Sequence, residues 1–341
     1  MHAPHDATSP AIVALGGGTG LPLILSGLKL AGLPRERLTA IVTVADDGGS
    51  SGRLRREDGS PPPGDVRNCL VALAQADPAI VELFRYRFEG AGTLGGHSLG
   101  NIILAAYTIA EHDLAGAAER AAALLDARGR VFPATVEDVT LVAETADGRI
   151  VLGESAVASA GSPIRRVRLA PATARALPEA VQAIAEADLI VLSPGSLFTS
   201  LLPVLVVPGI AAAVTASRAR VALVANLMTE PGETDGFRVS DLARAVLAHA
   251  PGLRIHDVLV NVAPLARNVT AHYARVDAEP IPVDADAIEA LGPRVIAKRL
   301  LASGLGVRHD PRKLARELLR LARQARRETR VRAAQPVAEA L

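Results

Sequence analysis

The stretch ALGGGTGLPLILSGL, Ala14 to Leu28, completes a short apolar run, AIVAL (Ala11–Leu15), and leads into a segment with helical apolar spacing. Five of the six residues from Gly16 to Leu21 are glycine or threonine. So much glycine loses a great deal of backbone freedom on folding. That loss makes sense where the backbone must approach an anion closely. A helix that opens just after such a loop adds free N–H groups and the positive end of its dipole. Pro22 stands where the first turn of a helix tolerates proline. AIVAL reads as a strand buried on both faces of a parallel sheet. Strand, glycine loop and helix form the first unit of a doubly wound α/β fold, with phosphate as the expected ligand chemistry.

The fingerprint for a dinucleotide is incomplete. Leu21 stands where a third small residue belongs, and Asp46 and Asp47 come later than the usual spacing of about 20 residues. A Walker lysine is missing too. NAD is therefore not expected as a redox cofactor.

The same rhythm continues along the chain. LTAIVTVADD (Leu38–Asp47) reads as a second strand, and GDVRNCLVALAQA (Gly64–Ala76) as a helix with Asp65 at its N-cap. Further helices are expected from Gly100 and over about Ala117–Ala127. From Val131 to Leu169 the pattern turns to alternating, β-branched segments. VTLVAET and RIVLGES flank a hairpin turn at Asp147-Gly148, and IRRVRL is a third strand. Strands then follow at DLIVLS (Asp188–Ser193), VALVAN (Val221–Asn226) and DVLVNV (Asp257–Val262). Helices are expected near Pro178–Glu186, Phe198–Ser217 and Val239–His249. The expected fold is a Rossmann-like, doubly wound, mostly parallel sheet with helices on both faces. It forms a single domain over residues 11–330, with a small β-rich insertion at about 131–170 and tails at 1–10 and 331–341. The basic amphipathic helix near the end, PRKLARELLRLARQARRETRVRAA, reads as a solvated face.

Composition narrows the function. Of 341 residues 49% are hydrophobic and 21% charged, as in a globular protein. Net charge is +1, so no bulk attraction to nucleic acid or anionic membranes is expected. Aromatic residues are 2% of the chain, too few for base-stacking platforms. Cys69 is the only cysteine, which excludes a disulfide or a cysteine zinc site within one chain. The apolar stretch Ala187–Val214 is cut by Pro194, Gly195, Pro203, Pro208 and Gly209, so no membrane span is expected. MHAPHDATSP lacks the regions of a signal peptide, and a cytoplasmic protein is expected. The apolar stretches allow a homodimer.

Five more polar loops accompany the first. ADDGGSSGRLR (Ala45–Arg55) offers Asp46 and Asp47 as hard oxygen ligands for Mg²⁺, with Ser50, Ser51 and Arg53 beside them. PPPGDVRN brings Asp65 and Arg67, and GGHSLGN brings His97 and Asn101 at another helix entrance. SPGSLFTS supplies Gly195, Ser196 and Thr199. NLMTEPGETDGF supplies Asn226, Thr229 and Asp235, which fit base, ribose or sugar hydroxyls. Together with Gly16, Gly17, Gly18, Thr19 and Gly20 these loops predict one binding crevice at one end of the sheet.

The motifs LGGGTGL, VTVADDGGSSGRLR, PPGDVRNCLVALA, FRYRF, GHSLGN, VFPATVEDVTLVAE, SPGSLFTSLLPVLVVPGI, ANLMTEPGETDGF and VRHD resemble the YvcK-like family of gluconeogenesis factors. That family is similar to CofD, the 2-phospho-L-lactate transferase of coenzyme F420 synthesis. The resemblance implies a Rossmann-like protein that binds UDP-N-acetylglucosamine. It implies a role in cell shape and peptidoglycan synthesis during gluconeogenic growth, through cell-wall or regulatory partners. By the same resemblance Tyr273 stacks on the uracil and Arg308 pairs with the diphosphate. Ser193, Phe198 and Leu242 depart from the family pattern, where glycine, tyrosine and histidine are expected. The Leu242 departure would remove a polar group from the mouth of the Val239 helix. The alternative function is a Mg²⁺-dependent transferase acting on a nucleotide diphosphate ester. In that reading Asp46 and Asp47 hold the metal, and His97 takes a proton from the acceptor hydroxyl.

Overall fold

The computed structural model describes residues 9–59, 61–265, 267–304 and 306–334. The strands are β1 (Ile12–Gly16), β2 (Leu38–Val42), β3 (Arg130–Pro133), β4 (Thr140–Thr145), β5 (Ile150–Leu152), β6 (Ile164–Ala170), β7 (Leu189–Leu192), β8 (Arg220–Val224), β9 (Asp257–Asn261) and β10 (Arg294–Lys298). Seven of them form one sheet in the order β10-β9-β8-β7-β1-β2-β3, and every pairing in it is parallel. Ile12, Val13, Ala14 and Leu15 of β1 are all buried. Successive side chains on a strand point to opposite faces, so both faces of the sheet are covered.

Helix Gly20–Leu30 packs on helices Gly64–Leu73 and Pro311–Ala334, and the last of these also reaches β7 and β8. The approach is close. A Cβ on Gly27 would lie 2.8 Å from the carbonyl carbon of Pro311. Leu314, Leu318, Leu321 and Ala322 bury the apolar side of the final helix, and its other side carries the arginines. Arg326 Nη1 reaches the Asp188 carboxylate at 3.1 Å and the Ser9 carbonyl. Asp188 also accepts the Ala11 N–H at 2.7 Å, so one carboxylate fastens the first strand to the last helix. The final helix continues to Ala334 and takes in the first four residues of the expected tail. The rest of that tail, 335–341, and residues 1–8 lie outside the described residues.

Three expectations shift. β3, read as the start of the insertion, pairs with β2 in the main sheet. The insertion proper is the antiparallel sheet β5-β4-β6, with Gly148 at positive φ in its hairpin. It is tied to the main domain by His249. The Nε2 of His249 accepts the Val167 N–H at 3.0 Å, while its Nδ1–H donates to the Ala245 carbonyl at 2.7 Å. The helix expected at Phe198–Ser217 is broken. A π-helical turn (Leu197–Leu201) runs into Leu202–Leu205, and Pro208-Gly209 bends the chain by 70° before Ile210–Ala216. Proline cannot donate to the ladder, and Gly209 takes φ +103, which β-carbon-bearing residues avoid. Among the described residues no single helix is long and apolar enough to cross a membrane. Leu242 is the third case. It is buried in the core and does not face a cleft.

Candidate functional site

β1 stands between β2 and β7, so the chain leaving β1 turns one way and the chain leaving β7 turns the other. A crevice opens at such a switch point, outside the carboxyl ends of the strands. The two loops that line it touch. A Cβ on Gly20 would lie 2.6 Å from the Pro194 carbonyl carbon and closer still to its oxygen. Gly16, at φ +146, faces Ser193, whose Cβ would stand 3.2 Å from an added Cβ with its Oγ nearer. Ser193 Oγ is buried and without a hydrogen-bond partner among the described residues. Asn226 grips the backbone of Gly195. It accepts the Gly195 N–H at 3.1 Å and donates to the Gly195 carbonyl at 2.7 Å.

An open cavity of about 990 Å³ lies at this crevice. Of the predicted residues, Gly18, Thr19, Gly20, Gly195, Asn226, Thr229, Tyr273 and Arg308 line it. The Tyr273 hydroxyl accepts the Val307 N–H at 3.1 Å, which fixes the ring against the Arg308 segment. Thr229 lines the wall but is committed to Glu279 through two hydrogen bonds. The sequence reading missed Asn68, Arg85, Glu230 and His309 in the same wall. His309 is 6% exposed, with Nε2 unpartnered among the described residues, and burial lowers its pKa to about 4. It is a neutral imidazole at neutral pH.

Several of the remaining predicted residues, Asp46, Ser50, Ser51, Asp65, His97 and Asn101, gather in a second cluster behind the glycine loop. Asp65 is not an N-cap. The helix Gly64–Leu73 starts on Pro63 without a side-chain cap, and the Asp65 carboxylate instead accepts the Gly18 N–H. Burial raises its pKa to about 6, with the Asp46 charge adding to the shift. Asp46 accepts the Gly48 N–H at 2.9 Å. Asp47 turns the other way and accepts the Ser155 N–H at 2.9 Å, capping helix Glu154–Ala158 from outside. Among the described residues no three His, Cys, Asp or Glu side chains are gathered to hold a metal. Each of the Asp46 and Asp47 carboxylates accepts one N–H and keeps further lone pairs, the kind of donors that would share a Mg²⁺ with ligand phosphates.

Ser50 Oγ accepts the Ser98 N–H at 3.3 Å and the Asn101 amide at 3.1 Å. Its own hydrogen is then left for His97 Nδ1 at 3.1 Å, which places the imidazole proton on Nε2. Asn101 also reaches Ser51 Oγ at 3.5 Å. Burial lowers the His97 pKa, and the Arg53 charge lowers it further. Arg67 donates to Asn68 Oδ1 at 2.6 Å. Ser196 and Thr199 point away from the cavity to Glu233. Ser196 donates to its Oε2 at 2.5 Å and Thr199 to its Oε1 at 3.2 Å. Asp235 is exposed and only closes the turn at Gly232. Phe198 is buried edge-on to Phe237 and His249, in the seam to the insertion.

Two further carboxyls were not expected. Burial raises Glu154 to about 7, with the Asp46 charge adding and a Thr199 hydrogen bond opposing. Burial, then the Glu233 charge, raises Glu230 to about 7. An acid whose folded pKa exceeds its ordinary value holds its proton more tightly in the folded state. Its contribution to stability is full below about 4.5 and is lost as pH rises through about 7. Glu154→Gln should therefore flatten the fall in Tm between pH 5 and pH 8, and gain on wild type at the upper end. Thermal melts at both pH values check it, and parallel profiles would overturn it.

The family model for 2-phospho-L-lactate transferase CofD matches residues 12–301. The chain belongs to the CofD family. Within the family its relatives are the gluconeogenesis factors. It is 45% identical over 309 residues to the Gluconeogenesis factor of Halalkalibacterium halodurans, covering 90% of this chain and 95% of that one. It is 43% identical over 316 residues to the Gluconeogenesis factor of Bacillus subtilis, covering 92% and 99%. The crystal structure of protein BH3568 from Bacillus halodurans matches with a TM-score of 0.88 at 45% identity, over 91% of this chain and 99% of that chain. The family's fold is thus the seven-stranded parallel sheet with its small antiparallel annex.

Proposed function

We propose that the crevice binds a nucleotide-sugar, UDP-N-acetylglucosamine, and that the protein is a regulator that reads this ligand. The observation that carries the reading is the single cavity with Gly18–Gly20 on one wall and Tyr273 and Arg308 on another. Backbone N–H groups at a helix start favour a diphosphate. An arginine fork pairs with phosphate oxygens, and an aromatic ring takes the base. The relatives named gluconeogenesis factor support a role tied to gluconeogenic growth. From the motif resemblance, the downstream process is peptidoglycan synthesis and cell shape, in the cytoplasm, through protein partners. Titration calorimetry of the full chain with UDP-N-acetylglucosamine tests the reading. Tyr273→Ala should weaken binding about 10- to 100-fold, the range for one base stacked on one aromatic. Arg308→Ala should act in the same direction. No heat of binding, or binding indifferent to both variants, would refute it.

One observation favours a second reading, transfer from a nucleotide diphosphate ester. Asp65, whose carboxylate holds the Gly18 N–H, and Glu154, near Asp46 and Thr199, have pKa values of about 6 and about 7, so each can take up or release a proton near neutral pH. Turnover of any activated ester by the purified chain, lost in Glu154→Gln, would establish it.

A further inference from the structure

Arg53, Arg67 and the close pair Arg85 and Arg87 come from three segments of the chain's first hundred residues, and Arg53, Arg67 and Arg87 come together beside the crevice. Arg53 Nη2 donates to the Gly95 carbonyl at 2.8 Å, and Arg87 Nη1 to the Gly96 carbonyl at 2.7 Å. Two guanidiniums are thus docked on consecutive residues of one loop. After burial, the charge of Arg87 is the main influence lowering the pKa of Arg67, and Arg53 and Arg87 both push down His97. Arg85 stands in the cavity wall with Asn68, the residue that Arg67 holds. Among the described residues none of the four makes an ion pair. Asp65 and Asp46 lie within electrostatic reach of Arg67, and Glu57 within reach of His97.

Like charges gathered without paired acids repel one another, and a fold keeps them together when something anionic binds there. Each of the two backbone bonds uses one nitrogen of a guanidinium and leaves the rest of the fork to accept an oxyanion. Leu83, Tyr86 and Leu94, close to these arginines in sequence, are exposed apolar residues. None of these side chains except Arg85 lines the nucleotide cavity.

We infer that Arg53, Arg67 and Arg87 form a second anion site, at the edge of the nucleotide cleft, for the phosphate or carboxylate of a separate small molecule, with Arg85 standing two residues before Arg87 in the cavity wall. In a regulator this is the co-ligand that reports on a second metabolite. In a transferase it is the anionic end of the acceptor. The site itself depends on neither choice.

Titration calorimetry of the full chain with inorganic phosphate, at low and raised salt, is the test. Phosphate should bind the wild type and bind at least 10-fold more weakly to Arg53→Ala and Arg87→Ala. Arg87→Lys, which keeps the charge and loses the fork, should fall between. Thermal melts confirm that each variant is folded. Phosphate should still bind when UDP-N-acetylglucosamine is saturating, and Arg87→Ala should leave the affinity for that nucleotide-sugar within about twofold. No phosphate binding, or equal binding by the variants, overturns the site. One-for-one displacement of phosphate by the nucleotide-sugar, with Arg87→Ala weakening both, also overturns it, because the arginines then hold the nucleotide's own phosphates. If the nucleotide-sugar fails to bind but arginine-dependent phosphate binding persists, only the nucleotide-sugar reading falls.

Discussion

Gly20→Ala is expected to abolish nucleotide-sugar binding and to lower stability by about 3 kcal/mol, the upper part of the usual range for overpacking. The reason is steric and involves backbone on both sides. The added Cβ would sit 2.6 Å from the Pro194 carbonyl carbon, nearer to its oxygen, and 3.2 Å from the Gly195 nitrogen. No side-chain rotation relieves a clash with backbone. The loops after β1 and β7 must move apart, and Gly195 is pinned by both ends of the Asn226 amide. The displacement therefore spreads to the loop after β8 and distorts three walls of the cavity at once. Gly92→Ala is the control. Nothing lies within 4 Å of its Cβ position, and it takes no positive φ. That change should leave binding intact and stability unchanged or slightly raised. Urea unfolding and calorimetry on both variants decide the matter. A Gly20→Ala protein as stable as wild type would show that the two loops are not in contact.

Much of this architecture was readable in the sequence because it is local. Short apolar strands, glycine loops and helix starts carry their own signatures, and β1, β2, β7, β8 and β9 of the main sheet fall where apolar runs place them. The cavity-lining glycines and Asn226 are legible in their own loops, whereas Tyr273 and Arg308 come only from the motif resemblance. What failed was partner assignment across sequence distance. Asp65 has the chemistry of a cap and sits in the first turn, yet its carboxylate is taken by Gly18 in another loop. Asp46 and Asp47 are adjacent in sequence but take different partners, Asp46 the Gly48 N–H and Asp47 the N–H of Ser155, 108 residues on. Glu154 falls in RIVLGES, which reads as a strand. It gains its raised pKa from burial and from Asp46, neither visible in its own segment. The Phe198 helix misled for a different reason. Leu197–Leu201 is apolar enough for any buried helix, and only Pro208-Gly209 marks the bend that follows.

Asp257→Ala should be the most destabilising change remote from the cleft. Asp257 opens β9 and is 0% exposed. Arg220, the first residue of β8, pairs with it through Nε and, at 3.1 Å, through Nη2. Arg294, the first residue of β10, pairs with it at 2.9 Å and 2.8 Å. One carboxylate thus ties the leading ends of three adjacent parallel strands, opposite to the end where the crevice lies. A buried ion network adds little over well-packed apolar residues, but removing one member leaves the others as uncompensated charge. Breaking such a pair costs roughly 3–5 kcal/mol. The side chain of Arg294 is 47% exposed and regains water, whereas Arg220 is 17% exposed and keeps only Glu328 at 3.6 Å. The expected loss is therefore about 3 kcal/mol, the lower end of that range. It should appear as a lower urea midpoint with an unchanged slope, and nucleotide-sugar affinity in the folded protein should stay at the wild-type value. Arg294→Ala alone should cost much less, because the bidentate Arg220 pair survives it. If Asp257→Ala instead weakens ligand binding while leaving the urea midpoint in place, the two ends of the sheet are coupled and Asp257 is not a purely structural clamp.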